Sequence, residues 1–194
     1  MVLPIVKYGH PVLRQRGARV ERFTPALQRL IADMLETMAE AHGVGLAAQQ
    51  VGQAVQLTVV DVRAVTDRPS ALEIEGRAAD VAAFMPLVLI NPEITPLAPP
   101  VASPEGCLSF PELYAEISRP EHIGVRALNE RAEPTAFRCG GLLARVIQHE
   151  VDHLKGILFI DRMSAETKHE LKSDLDQLFA ETKASLKKPA PAGH

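Results

Sequence analysis

His149-Glu150-Val151-Asp152-His153, running on into Leu154-Lys155-Gly156, is the stretch around which the rest of the chain has to be arranged. Apolar Leu143, Val146, Ile147, Val151 and Leu154 recur at helical spacing, and Lys155-Gly156 reads as a C-cap pair, so the spacing predicts a helix over Gly141 to Leu154. On such a helix residues four apart share a face, with Cβ atoms about 5–6 Å apart, so both imidazoles reach one metal ion. Glu150 is rotated about 100° from His149 around the axis. Its carboxylate can therefore flank a water at that ion and act as a general base without displacing it.

Two histidines leave a tetrahedral catalytic metal one protein ligand short. The pattern H-E-x-x-H-x-x-G-x-x-H is matched through Gly156 but then meets Phe159, which cannot coordinate, and that class is excluded. Spacing alone leaves two sources for the third ligand. One is a downstream carboxylate, Glu166 or Glu170, as in a zinc endopeptidase. The other is Cys107 in Glu105-Gly106-Cys107-Leu108-Ser109, where glycine permits close backbone approach, Pro104 and Pro111 stiffen the flanks, and a thiolate suits a borderline-soft ion. Cys139 has no such frame and reads as a buried, inert thiol.

Outward from this helix, Leu27, Leu30, Ile31, Met34, Leu35 and Met38 mark an amphipathic helix between Thr24 and His42, with Thr24 as N-cap, Pro25 at its first position and Gly43 past its end. Leu57 to Val62 and Leu87 to Ile90 have strand length and composition, and His122 to Leu128 and Thr135 to Arg138 are weaker strands around a polar turn. Ser164 opens a C-terminal helix marked by Leu171, Leu175, Leu178 and Phe179. Strands and helices do not alternate, so the expected class is α+β. In this reading, mostly antiparallel short-stranded sheets pack around the central metal-binding helix, with an N-terminal amphipathic helix and a C-terminal helix. Residues 1–182 read as a single catalytic domain whose C-terminal helix covers about 164–182, and 183–194 as a flexible tail. Ala64 to Pro86 reads as a surface excursion with a helical turn within Gly76 to Phe84. Gly43-Val44-Gly45-Leu46-Ala47-Ala48-Gln49-Gln50 reads as a glycine-rich loop ending the first helix. It lacks the Lys-Ser or Lys-Thr pair of a phosphate loop, so no nucleotide is expected.

At 194 residues, 46% apolar and 23% charged, the chain can bury a sizeable core, which excludes a disordered protein. A formal net charge of −3 gives no global attraction to nucleic acid or anionic lipid. Two cysteines are too few for a disulfide framework, and Met1 to Leu13 lacks a signal-peptide h-region. Cytoplasmic residence, with no membrane-spanning segment, is the expectation.

Gly43-Val-Gly-Leu-Ala-Ala-Gln-Gln50, Glu105-Gly-Cys-Leu-Ser109 and Gln148-His-Glu-Val-Asp-His-Leu-Lys-Gly156, taken in this order, resemble the three signature motifs of the peptide deformylases nearly residue for residue. The resemblance extends to Gly9-His10-Pro11-Val12-Leu13, to Asn91-Pro92 and to the C-terminal helix. It implies one divalent metal ion held by Cys107, His149 and His153 with water in the fourth position, and hydrolytic removal of the N-formyl group from nascent peptides beginning with formylmethionine. By resemblance the ion is Fe2+, and Zn2+, Ni2+ and Co2+ fit the same donors. Glu150 would be the proton carrier, with the Gln50 side-chain amide and the Leu108 backbone N–H holding the oxyanion. Backbone groups of Val44, Gly45 and Gly106 would pair with the substrate as an added strand. Leu142 and Val146 would border the methionine pocket, together with an Arg145 whose charge stays in water. Asp152 would pair with Arg119 to pin the ligand helix. In some family members a terminal helix docks on the ribosome, and the basic stretch Lys183 to Lys188 would serve that purpose here. The chain departs from the commonest bacterial pattern in the length of Ala64 to Pro86, in Tyr114 where arginine is frequent, and in Glu116 where apolar residues are common.

Overall fold

The runs at 57–60 and 87–90 are buried without alternation because both faces of their sheet are covered. The computed structural model describes residues 1–187. Its strands are β1 (Gly45–Ala47), β2 (Leu57–Val60), β3 (Ser70–Ile74), β4 (Arg77–Ala78), β5 (Leu87–Pro96), β6 (Pro100–Cys107), β7 (Phe110–Pro120), β8 (His122–Leu128) and β9 (Pro134–Gly140). The helices are α1 (Pro25–Glu40), α2 (Gly141–Leu154), α3 (Ala165–Glu170) and α4 (Lys172–Leu186). Seven strands form one sheet in the order β1-β2-β5-β8-β9-β3-β4, and β6-β7 form a separate hairpin. Every ladder between named strands is antiparallel, so the architecture is α+β.

Successive side chains of a strand point to opposite faces, and here the two faces meet different helices. Leu57 and Val59 of β2, with Val88 and Ile90 of β5, pack against Leu27, Ile31, Met34 and Met38 of α1. Val60, Leu87 and Leu89 pack instead against Leu143, Val146 and Ile147 of α2. Leu143 and Ile147 are fully buried, each worth about 1.5–3 kcal/mol of burial. A third cluster joins Phe110, Leu113, Ala115 and Ile117 of β7 to Val12, Leu13, Leu158, Phe159, Ile160 and Leu175. The hairpin thus covers the side of α2 that the sheet leaves free, and every residue of α2 after Gly141 is buried.

The caps act as the residue types dictate. Thr24 accepts from the Leu27 N–H at 3.2 Å to start α1. At the end of α2, Gly156 adopts φ 74°, and the N–H groups of Gly156 and Ile157 donate to the carbonyls of His153 and Asp152. This Schellman closure fixes the last turn, which carries His153. A Cβ at Gly156 would stand 2.6 Å from the Arg14 carbonyl oxygen, so the position is closed to other residues on both counts.

Several expectations are corrected. The residues read as a loop at 45–47 form β1, which pairs with β2. The excursion Ala64 to Pro86 contains the hairpin β3-β4, docked on β9, and its only helical turn is Ala82–Phe84. The hairpin β6-β7 was not expected; its prolines argue against a strand, yet a two-stranded sheet has only edge strands, where a missing N–H is tolerated. The C-terminal helix expected over 164–182 is two helices meeting at Leu171, and α4 runs to Leu186, into the stretch read as tail. Of that stretch, residues 188–194 lie outside the described residues.

Candidate metal centre and active-site cleft

The three candidate ligands come from two elements, the inner strand end of β6 and the buried helix α2. One ligand atom each from Cys107, His149 and His153 lies within 4.8 Å of the others. Cys107 Sγ is 3.4 Å from His153 Nε2, and the two imidazole centroids are 5.0 Å apart. Among the described residues the histidines meet Cys107 and not Glu166 or Glu170, which lie exposed on α3. Cys139 is buried on β9, and burial pushes its thiol up to about 12, which keeps it neutral and inert.

Around the ligands lies a buried charge network whose centre the sequence reading missed. Glu105 Oε2 is 3.0 Å from His149 Nδ1, while Glu105 also accepts from Arg119 Nε at 2.6 Å and from Arg145 Nη1 at 2.8 Å. Burial alone would raise the Glu105 pKa, but the hydrogen bonds from His149 and Arg119 outweigh it and hold the carboxyl at about 2. Glu105 therefore stays ionised and fixes the ring of His149, leaving Nε2 to turn toward Cys107. Arg119 Nη1 donates to Asp152 Oδ2 at 2.7 Å, and Arg162 adds a second guanidinium to Asp152 at 2.5 and 2.6 Å. The expectation for Arg145 is corrected: its charge is not in water. The guanidinium donates to Glu105, to the Ile117 carbonyl at 2.7 Å and to the Val101 carbonyl at 2.6 Å, because the hairpin covers that face of α2. In the sequence Glu105 is visible only as part of the cysteine's frame, and an acid two residues before a candidate thiolate ligand is the available signal.

Glu150 is buried, and its Oε2 has no hydrogen-bond partner among the described residues. Burial pushes its pKa up to about 7. Gly45 makes this placement possible, since a Cβ there would stand 2.8 Å from Val146 Cγ1 and press on the Glu150 carboxylate. Gln50 accepts from the Ala47 N–H at 2.8 Å through Oε1, which orients its Nε2 toward Cys107 Sγ at 3.5 Å and Ser109 Oγ at 3.4 Å. Leu108 and Ser109 are the two turn residues of the β6-β7 hairpin, between paired Cys107 and Phe110.

A cleft of about 530 Å³ opens onto Gln50, Cys107, Leu108, His149 and Glu150. Val44, Gly45, Gly106, Leu142, Val146 and Tyr114 also line it. β1 ends its sheet and β6 belongs to a two-stranded one, so each has an unpaired edge beside the cleft. Tyr114 is exposed, and its ring lies where a Cβ on Gly106 would stand.

The donor set fits a metal ion. One sulfur and two imidazole nitrogens converge on a space one ion wide, and an unpartnered buried carboxylate adjoins them. Residues 2–169 match the family model for polypeptide deformylase. The chain belongs to the polypeptide deformylase family. Members of this family are metal-dependent hydrolases that remove the N-formyl group of formylmethionine. A deformylase of Opitutus terrae is 46% identical over 189 residues, spanning 96% of this chain and 98% of that one. The crystal structure of a deformylase from Legionella pneumophila aligns with a TM-score of 0.78 at 33% identity, over 97% of this chain and 100% of that one. That of the deformylase from Thermotoga maritima aligns with a TM-score of 0.72 at 40% identity, over 84% and 99%.

Proposed function

We propose that this chain deformylates formylmethionyl nascent peptides through a centre in which Cys107, His149 and His153 hold one divalent ion and Glu150 carries the proton. The carrying observation is the convergence of those three side chains beside the buried Glu150 carboxylate, whose Oε2 has no hydrogen-bond partner among the described residues. When bound, the ion supplies Lewis acidity and a water acidic enough to attack at neutral pH.

The chain's own groups account for the remaining steps. Glu150 takes the proton of the attacking water on its carboxylate and returns it to the nitrogen of the departing amine, which leaves as the free N-terminus while formate is released. As the formyl oxygen gains charge, Gln50 Nε2 and the Leu108 N–H donate to it, contributions of a kind worth about 2.7–4 kcal/mol each in comparable holes. The free edges of β1 and β6, with Gly45 and Gly106 on them and Val44 just before β1, pair with the substrate backbone, so binding tolerates many downstream sequences. Leu142 and Val146 offer apolar surface to the methionine side chain.

In this reading residues 1–182 form the catalytic domain, the native ion is ferrous iron, and the protein works in the cytoplasm. Among the described residues no helix is long and apolar enough to cross a membrane. A ribosome contact through α4 is supported by exposed Leu186 and by Lys183, whose ammonium lies 5.4 Å from the centroid of a part-exposed Phe179. Salt-sensitive cosedimentation of full-length but not truncated protein with ribosomes tests this contact; equal behaviour of the two ends it. The function itself is tested by incubating anaerobically purified protein with a formylmethionyl tripeptide and its acetylated counterpart. Formate released from the first with little acetate from the second is expected, and no formate from metal-loaded protein would refute the reading.

A further inference from the structure

Val6 to Tyr8 run between the two loops that carry the oxyanion donors. The Val6 N–H donates to the Gln50 carbonyl at 2.9 Å, and the Tyr8 N–H donates to the Ser109 carbonyl at 2.9 Å. Between them, Lys7 Nζ donates to the Leu108 carbonyl at 2.8 Å. Both carbonyls of the Leu108-Ser109 turn are therefore held by one N-terminal segment, which also grips the loop of Gln50. The ring of Tyr8 stacks on Phe110, the residue after the turn, with centroids 4.8 Å apart.

Leu108 is held a second time through its side chain. It is partly buried and packs against the apolar cluster of α1, β2 and β5, with its Cδ1 beside Gly43. The Cα of Leu108 bears its amide nitrogen, its carbonyl carbon and its Cβ in tetrahedral array. Fixing the carbonyl through Lys7 and packing the side chain into that cluster sets where the Leu108 amide nitrogen sits. Lys7 is the strap residue that hydrogen-bonds the turn through its side chain, and it lines the cleft. It forms no ion pair with a carboxylate among the described residues.

We infer that Lys7 is a positioning residue of the reaction: its hydrogen bond to the Leu108 carbonyl aims the Leu108 N–H at the reacting formyl oxygen. This rests on the reading of Leu108 as an oxyanion donor. Lys7→Met removes the ammonium and keeps the stem, whereas Lys7→Arg keeps a donor. In metal-loaded protein, Lys7→Met is expected to lower kcat about tenfold, the scale of a small misalignment, with KM for a formylmethionyl tripeptide within about twofold. Metal content and Tm stay at the wild-type values, and Lys7→Arg restores most of kcat. Amide hydrogen exchange supplies a readout independent of turnover: the Leu108 N–H exchanges faster in Lys7→Met and at the wild-type rate in Lys7→Arg.

Wild-type kcat in Lys7→Met, a rise in KM alone, or a loss of kcat that tracks metal content or Tm would each overturn the inference. Equal exchange at Leu108 in all three proteins would also overturn it. Absence of formate release from the wild type would instead remove the functional reading, and that outcome is distinct because the exchange measurement does not depend on turnover.

Discussion

Glu105 Oε2 stands 3.0 Å from Nδ1 of His149, so a candidate metal ligand is oriented by a carboxylate that its hydrogen bonds with His149 and Arg119 keep ionised and that also accepts from buried Arg145. Through Arg119 the same network reaches Asp152, on another face of α2, and Arg162 beyond it. The ligand helix is thus tied to the hairpin that supplies Cys107 by charge as well as by packing.

Glu105→Gln keeps the shape of the side chain but removes its charge, leaving Arg119 and Arg145 short of a counter-ion and His149 with a weaker partner. Metal affinity is expected to fall about 10–100-fold, and stability by about 3–5 kcal/mol, the scale of breaking a buried pair. Metal retained after dialysis against a graded chelator, with thermal melts of the same samples, measures both. Wild-type retention would show that the contact does not orient the ligand.

Gln50→Leu removes one proposed oxyanion donor together with the acceptor of the Ala47 N–H. Turnover is expected to drop about 100–1,000-fold while KM changes little, because the lost interaction forms mainly in the transition state. Steady-state kinetics on a formylmethionyl peptide decide it; a variant with full kcat removes Gln50 from the role.

At Gly45 the backbone lies against Glu150. The Cβ introduced by Gly45→Ala meets Val146 Cγ1 at 2.8 Å and the carboxylate itself, so Glu150 must shift. A loss in kcat of about 100-fold, the scale of a 1 Å misplacement, with metal content unchanged, is the expected outcome. An alanine variant with full activity would show that Glu150 has room to spare.

Stability at low pH depends in part on Asp161, which pairs with Arg14 and accepts from the Leu158 N–H at 2.9 Å. Burial pushes its pKa up, but these hydrogen bonds outweigh that and hold it below the ordinary 3.8. The folded-state pKa is the lower one, so the carboxylate stabilises the fold above about pH 3.8 and this contribution is lost as pH falls through the folded value. Asp161→Asn should therefore melt below the wild type at pH 7, with the gap in Tm closing toward pH 3. A gap that does not depend on pH would contradict the assignment.

The parts of the fold legible in the sequence are those in which a single periodicity governs burial. α1 carries one apolar stripe between a threonine cap and a glycine, and α2 ends where Lys155-Gly156 closes it. β1 is hidden because three residues carry no period, and the hairpin β6-β7 because its prolines mask the alternation of Leu113, Ala115 and Ile117. In the site, the histidine spacing is a local property of one helix and can be read directly. The Glu105-Arg119-Arg145 cluster depends on residues brought together from two strands and a helix, and a buried arginine looks like an exposed one until the covering hairpin is known.

The central claim is that one sulfur and two imidazoles share a single ion. X-ray absorption at the metal edge, on protein purified anaerobically and compared with Cys107→Ser, measures this directly. The expected spectrum shows about one sulfur and at least two histidine nitrogens per ion in the native protein, with the sulfur shell lost in Cys107→Ser. A coordination shell of nitrogen and oxygen alone in the native protein would contradict it.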